Sequence, residues 1–253
     1  MNWLISYYPR IKAKALQRLS PKWPEAAHLF EQMIAPGLPA EVALPLLGGK
    51  ANQIIDISAA LLLATVALRI EDDALDLDRN DALAGRIGPG RALNLASAFK
   101  MAALNCLNFA ALPPHLRIRI HDFFCESFAL IGSGQDMDLC DKVQDLDSYW
   151  DVVELKTCTA YTTAVAAGAM ALETKPEHLQ ALLDFGKELG FIKQIFNDIE
   201  STWGPNGSSP DLSNNHLNLA VLHGLKVAHP NREALADMVA GHEMHLHQSK
   251  RTH

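Results

Sequence analysis

The sequence has few of the features that mark several large protein classes. Four cysteines in 253 residues (Cys106, Cys125, Cys140, Cys158) are widely spaced with no C-x-x-C pair, which excludes a disulfide framework and a thiolate zinc site. Basic residues are outnumbered, 22 Lys and Arg against 29 Asp and Glu. A net charge of -7 gives no general affinity for nucleic acid, which comes from cations neutralising phosphates. No charged start followed by an apolar run and a small-residue cleavage site opens the chain, so no secretory leader is expected and the cytoplasm is the simplest location. The most apolar window, Ile54 to Ile70, contains Asp56 and falls short of the roughly 20 residues that cross a bilayer, so it reads as a buried core helix and not a transmembrane segment. No low-complexity linker divides the chain.

What remains is helical. Hydrophobic residues make up 49% of the chain, enough for a sizeable core. Punctuation falls at Pro21 and Pro24, at 36–39, at 85–90, at Pro113 and Pro114, and at 204–210, with long helix-period segments between. The pattern predicts eight to ten helices and no sheet. The basic N-terminal segment with Arg10, Lys12, Lys14 and Arg18 reads as an amphipathic helix packed on the bundle.

Two acidic segments stand at the ends of apolar helices: Asp72-Asp73-Ala74-Leu75-Asp76, and Asn197-Asp198-Ile199-Glu200-Ser201. The four-residue spacing of Asp72 and Asp76, and of Asn197 and Ser201, puts each pair on one helix face about 6 Å apart. Carboxylates stacked at the negative end of a helix dipole repel one another and call for a cation. Oxygen ligands select a hard ion, and magnesium, which binds one or two carboxylates and completes its shell with water and phosphate, suits an open pair of motifs. A solvated acidic helix end is the simpler explanation of one such run, and two runs in one helical chain weigh against it. The histidines of the tail, His242, His245, His247 and His253, include HExH but not HExxH, and read as a solvated segment.

Asp72-Asp73-x-x-Asp76 resembles the first aspartate-rich motif of the trans-isoprenyl diphosphate synthases, the polyprenyl synthetases of the class I terpenoid synthase superfamily. Supporting matches follow in family order: Gly49-Lys50, Gly134-Gln135-x-x-Asp138, Lys156-Thr157, Gly190, Gln194-x-x-Asn197-Asp198, and Asp211-Leu212. The resemblance implies an all-α, single-domain bundle over 1–253 with a central cavity, best matched over 40–225 and shortened over 226–253. It implies magnesium, three ions with a bound diphosphate, held by Asp72, Asp73, Asp76, Asn197, Asp198 and Ser201, with Asp73 and Asp198 in support. It places Lys156 on the diphosphate, Gln194 and Thr157 beside the reacting centre, and Gln135, Lys50 and His216 among the substrate contacts. A homodimer acting on an allylic prenyl diphosphate is implied as well.

The departures bear on the second substrate. The elongating members of the family grip isopentenyl diphosphate with an Arg, a His and an Arg pair, where this chain has Gln53, Thr65 and the stretch Arg79-Asn80-Asp81. A diphosphate acceptor would be left with its charge poorly compensated. The second motif carries Asn197 and Ser201 in place of two acids, and His216 stands where the family has a phosphate-binding lysine. The expected activity is a magnesium-dependent prenyl transfer whose acceptor the sequence does not name, isopentenyl diphosphate being poorly provided for. A class I terpene cyclase and a non-catalytic subunit of an isoprenyl diphosphate synthase are the competing readings.

Overall fold

The computed structural model describes residues 2–19, 21, 23–34, 37–48, 52–76, 83–140, 143–203 and 217–239. Among the described residues of the first four fifths of the chain there are ten α-helices: α1 (Asn2–Arg18), α2 (Pro24–Met33), α3 (Ala40–Ala43), α4 (Asn52–Asp76), α5 (Leu83–Ile87), α6 (Pro89–Asn108), α7 (Pro114–Leu139), α8 (Leu146–Val153), α9 (Thr159–Ala171) and α10 (Pro176–Thr202). They are followed by α11 (Leu219–Lys226) and a helical stretch over 232–239. No strand occurs among the described residues. The count exceeds the eight to ten read from periodicity because α3 and α5 are about one turn each, too short to show a period.

The chain's punctuation explains the boundaries. Helices α2, α6, α7 and α10 each start on a proline in the first turn, where the missing N–H removes no intrahelical bond. Between α5 and α6 the chain turns at Gly88, whose φ of 87° suits glycine. Asp145 opens α8 with a capping box, its carboxylate accepting from the Ser148 amide.

Helix α4 is the centre of the bundle. Ile54, Ile57, Ala59, Ala60, Leu63, Ala67 and Ile70 are fully buried, so its apolar surface runs around the helix and is covered on all sides, chiefly by α6, α1 and α9. Its length and composition would allow it to cross a membrane, yet 78% of its most apolar window is buried within the bundle. This is how a core helix passes a hydropathy test. Along α1, Ile11, Ala15 and Leu19 are buried, and Lys14 reaches the buried Asp56 at 3.1 Å. The basic face of α1 thus supplies the counter-charge for a carboxylate inside the core helix.

Candidate active site

Four helix segments converge where α4 ends. Asp72 comes from the last turn of α4, Gln135 and Asp138 from the end of α7, and Gln194 and its followers from α10. The fourth segment is unusual. Residues Glu154–Cys158 form a π-helical turn that joins α8 to α9 within one continuous helix. The inserted residue rotates the side chains after it, and Lys156 and Thr157 sit inside this turn. Such turns recur at functional sites because they re-aim side chains that an unbroken helix would hold elsewhere.

Two glycines set the approach. A Cβ on Gly134 of α7 would lie 2.8 Å from the Leu155 Cβ and 2.9 Å from the Lys156 Cγ. On α10, a Cβ on Gly190 would lie 2.5 Å from the Cys158 Cα. Helices α7 and α10 therefore clamp the π turn from two sides, at distances that no side chain permits.

Lys156 Nζ donates to Asp138 Oδ2 at 2.8 Å and to Asp72 Oδ1 at 3.3 Å. One ammonium thus ties the first acidic motif to the end of α7, and supplies locally the positive charge that carboxylates at a helix C-terminus require. Lys156 is 22% exposed and Asp72 51%, so the cluster opens to solvent on the Asp72 side. Next to it, Thr157 Oγ1 donates to Gln194 Oε1 at 2.8 Å. The Gln194 amide is oriented from its other end, since its Nε2 donates to Asp198 Oδ1 at 2.8 Å.

Asp198, counted with the metal motif in the sequence, spends its carboxylate on the protein. It is 5% exposed, and its Oδ2 accepts from the Tyr149 hydroxyl at 2.6 Å and from the Leu219 amide at 2.8 Å. Leu219 is the first residue of α11, so the carboxylate also faces the positive end of that helix dipole. Asn218 caps α11 through the Val221 amide and donates to Thr202 Oγ1 of α10. Asp198 is therefore the buried pin that joins α8, α10 and α11 and sets the Gln194 amide. Ser201 Oγ donates back to the Asp198 carbonyl at 3.1 Å. Asn197 is half-buried on the same helix.

The structure thus brings together Asp72, Lys156, Thr157, Gln194 and Asp198. It adds Tyr149, which carries no motif signal in the sequence, and gives Asp138 a role that its place in the Gly134-Gln135-x-x-Asp138 motif alone does not define. Lys50, His216, the side chain of Asp76 and the tail histidines at 242, 245, 247 and 253 lie outside the described residues. Among the described residues no three carboxylate, imidazole or thiol groups converge as a ready-made metal site. Magnesium needs no such cage, and the half-exposed Asp72 carboxylate on the open side of the cluster is a hard oxygen donor of the kind of which it takes one or two. The Gln135 Nε2 amide is buried with no acceptor, an orphan donor on the helix that carries Asp138.

Comparison with solved structures places this fold among the isoprenyl diphosphate synthases. The geranylgeranyl pyrophosphate synthetase of Pyrococcus horikoshii superposes with a TM-score of 0.82 at 18% identity, over 94% of this chain and 78% of that one. A decaprenyl diphosphate synthase from Rhodobacter capsulatus gives 0.80 at 17% identity, over 94% of this chain and 82% of that one. The chain belongs to the polyprenyl synthetase family, whose model matches residues 83–252. In sequence it is 26% identical over 167 residues to the geranylgeranyl diphosphate synthase of Sulfolobus acidocaldarius, an alignment that takes in 62% of this chain and 51% of the relative. The matched stretch thus spans about half the length of that curated relative.

Proposed function

We propose that this protein is a magnesium-dependent prenyltransferase that ionises an allylic prenyl diphosphate. The observation that carries the reading is Lys156, a cation held in a π turn between Asp138 and Asp72 and adjacent to the Thr157–Gln194 pair. Lys156 stabilises the negative charge that develops on the leaving pyrophosphate, and Gln135 Nε2 gives it a hydrogen bond that no protein group now takes. Asp72 and Asp76 would hold two magnesium ions and Asn197 with Ser201 would border a third, with Asp73 in support. When bound, the metal neutralises diphosphate charge. The Gln194 side chain, fixed at one end by Asp198 and at the other by Thr157, presents a preset dipole beside the reacting carbon.

We propose an acceptor other than isopentenyl diphosphate. Gln53 and Thr65, half-buried on α4, occupy the places of an Arg and a His that would compensate a second diphosphate. The protein works as a homodimer in the cytoplasm. The apolar side chains Met101 on α6 and Ile118 on α7 are exposed and support a surface for a second copy.

The experiment is incubation of the purified chain with geranyl, farnesyl and geranylgeranyl diphosphates and magnesium, with and without isopentenyl diphosphate. Pyrophosphate release that Lys156→Met abolishes supports the reading. Chain-elongated products would restore the ordinary acceptor, cyclic hydrocarbon would make the protein a cyclase, and no release under any condition would leave a non-catalytic subunit.

A further inference from the structure

Helix α10 has two faces of different character. Gln194, Asn197, Asp198 and Ser201 lie on the face turned toward the site. On the opposite face, Phe185, Ile192, Phe196, Ile199 and Trp203 are between 45% and 68% exposed. At 100° per residue the four within α10 fall within about 60° of one another over roughly 21 Å of helix, and Trp203 follows them at the residue that ends it. Large apolar side chains exposed singly need no explanation, but five in one stripe offer roughly 500 Å² of contiguous apolar surface, near the upper end for a monomer. From 184 to 203 the remaining exposed residues of the helix are Asp184, Glu188 and Glu200. Every fully exposed position in this span is therefore large and apolar or acidic.

We infer that the back of α10 is a docking groove for an amphipathic helix of a partner protein, apolar along one face and basic along its edges. The charges select this occupant. Asp184 and Glu188 flank one edge of the stripe, and Glu200 flanks the other beside the half-buried Lys193. In an antiparallel pairing of two copies the Asp184–Glu188 edge faces the same edge of the other copy, and like charges across a helix pair repel. An anionic membrane surface would be repelled by the same three carboxylates. The chain's own segments outside the described residues are poor matches, since 204–216 has one large apolar residue, Leu212, and 240–253 has two, Met244 and Leu246. A helix with Leu, Ile or Phe at positions i, i+3 or i+4, and i+7, flanked by Lys or Arg, matches both the stripe and its acids. The stripe shares its helix with Gln194 and Asp198, so a partner seated there bears on the element that sets the Gln194 amide.

The test uses the full chain and two labelled synthetic peptides of about 20 residues with the same Leu stripe, one flanked by Lys and one by Glu. Fluorescence anisotropy should give low-micromolar binding for the Lys peptide, in keeping with an interface at the small end of the specific range, and at least tenfold weaker binding for its Glu twin. Phe196→Ser and Ile192→Ser should each weaken the Lys peptide about tenfold or more without moving the melting temperature, because both side chains are already exposed. Glu188→Lys should erode the preference for Lys flanks. Absence of binding by the Lys peptide, or binding indifferent to both serine variants, overturns the inference. So does an assembly mass that falls in sedimentation on Phe196→Ser, which would assign the stripe to a second copy. Association with vesicles of phosphatidylserine and phosphatidylcholine that Phe196→Ser abolishes would assign it to a membrane and overturn the inference equally.

Discussion

The clamp on the π turn is tested by making one substitution in two places. In Gly190→Ala the new Cβ would stand 2.5 Å from the Cys158 Cα and 3.0 Å from both its amide nitrogen and its Sγ. Carbon atoms in contact sit at about 3.5–4.0 Å, so α10 and the π turn must part by roughly 1 Å. Backbone lies on the far side, and no side chain can swing away to absorb the strain. Overpacking of this kind costs about 1–3 kcal/mol, and the upper part of that range applies here. Alanine's better helix propensity returns about 1 kcal/mol, which leaves a net loss of about 2 kcal/mol. Gly132→Ala on α7 is the control, since its Cβ meets nothing within 4 Å and the propensity gain stands alone. For a protein of this size the two variants should melt roughly 5 °C below and about 2 °C above the wild type, read by circular dichroism. The retreat of α10 also stretches the 2.8 Å bond from Thr157 to Gln194, so Gly190→Ala should lose activity while Gly132→Ala keeps it. Equal stability of the two variants would refute the close approach and the role given to it.

Three further outcomes follow from particular contacts. Asp198→Asn offers one acceptor and a misplaced donor to three N–H and O–H groups and should cost about 1–3 kcal/mol in urea unfolding, with Tyr149→Phe at the lower end of that range. Burial pushes the thiols of Cys106 and Cys158 up to about 12, whereas Cys125 and Cys140 are exposed, so a disulfide reagent at pH 8 should titrate two thiols rapidly in the native protein and the other two only after unfolding. Hydrogen bonds from Ser148 hold the Asp145 carboxyl below its ordinary value, so its contribution to stability is present above that value and is lost as pH falls through the depressed one. Asp145→Ala should therefore melt below the wild type at pH 7, and the gap should narrow below about pH 4.

The all-helical fold is legible in the sequence because its signals are local. Proline starts α2, α6, α7 and α10, glycine breaks the chain at Gly88, and the apolar run through Ile54–Ile70 can only be covered on every side. Helix α4 extends further at both ends than that run, from Asn52 to Asp76, although Asn and Asp are weak helix formers and neither hydropathy nor propensity marks these ends. The π turn has no such signal: Glu154–Cys158 is an ordinary helical pentapeptide, and the close approach of Gly134 and Gly190 to it is a tertiary contact. Asp198 reads as one acid of a motif, and its work depends on Tyr149 and Leu219, 49 and 21 residues away. The stripe on α10 has the periodicity of a core face, and only the packing of α9 on the glycine side of that helix leaves it outside.

The central claim is that the cluster around Lys156 binds a diphosphate together with magnesium. Calorimetric titration of the full chain with a non-ionisable farnesyl thiodiphosphate, with magnesium and then with the metal chelated, tests it most directly. Saturable binding at one site per chain should weaken at least tenfold on chelation, and at least tenfold in Lys156→Met with magnesium present, because each change removes positive charge from a desolvated phosphate contact. Binding of equal strength with the metal chelated, or no binding in any condition, would contradict it.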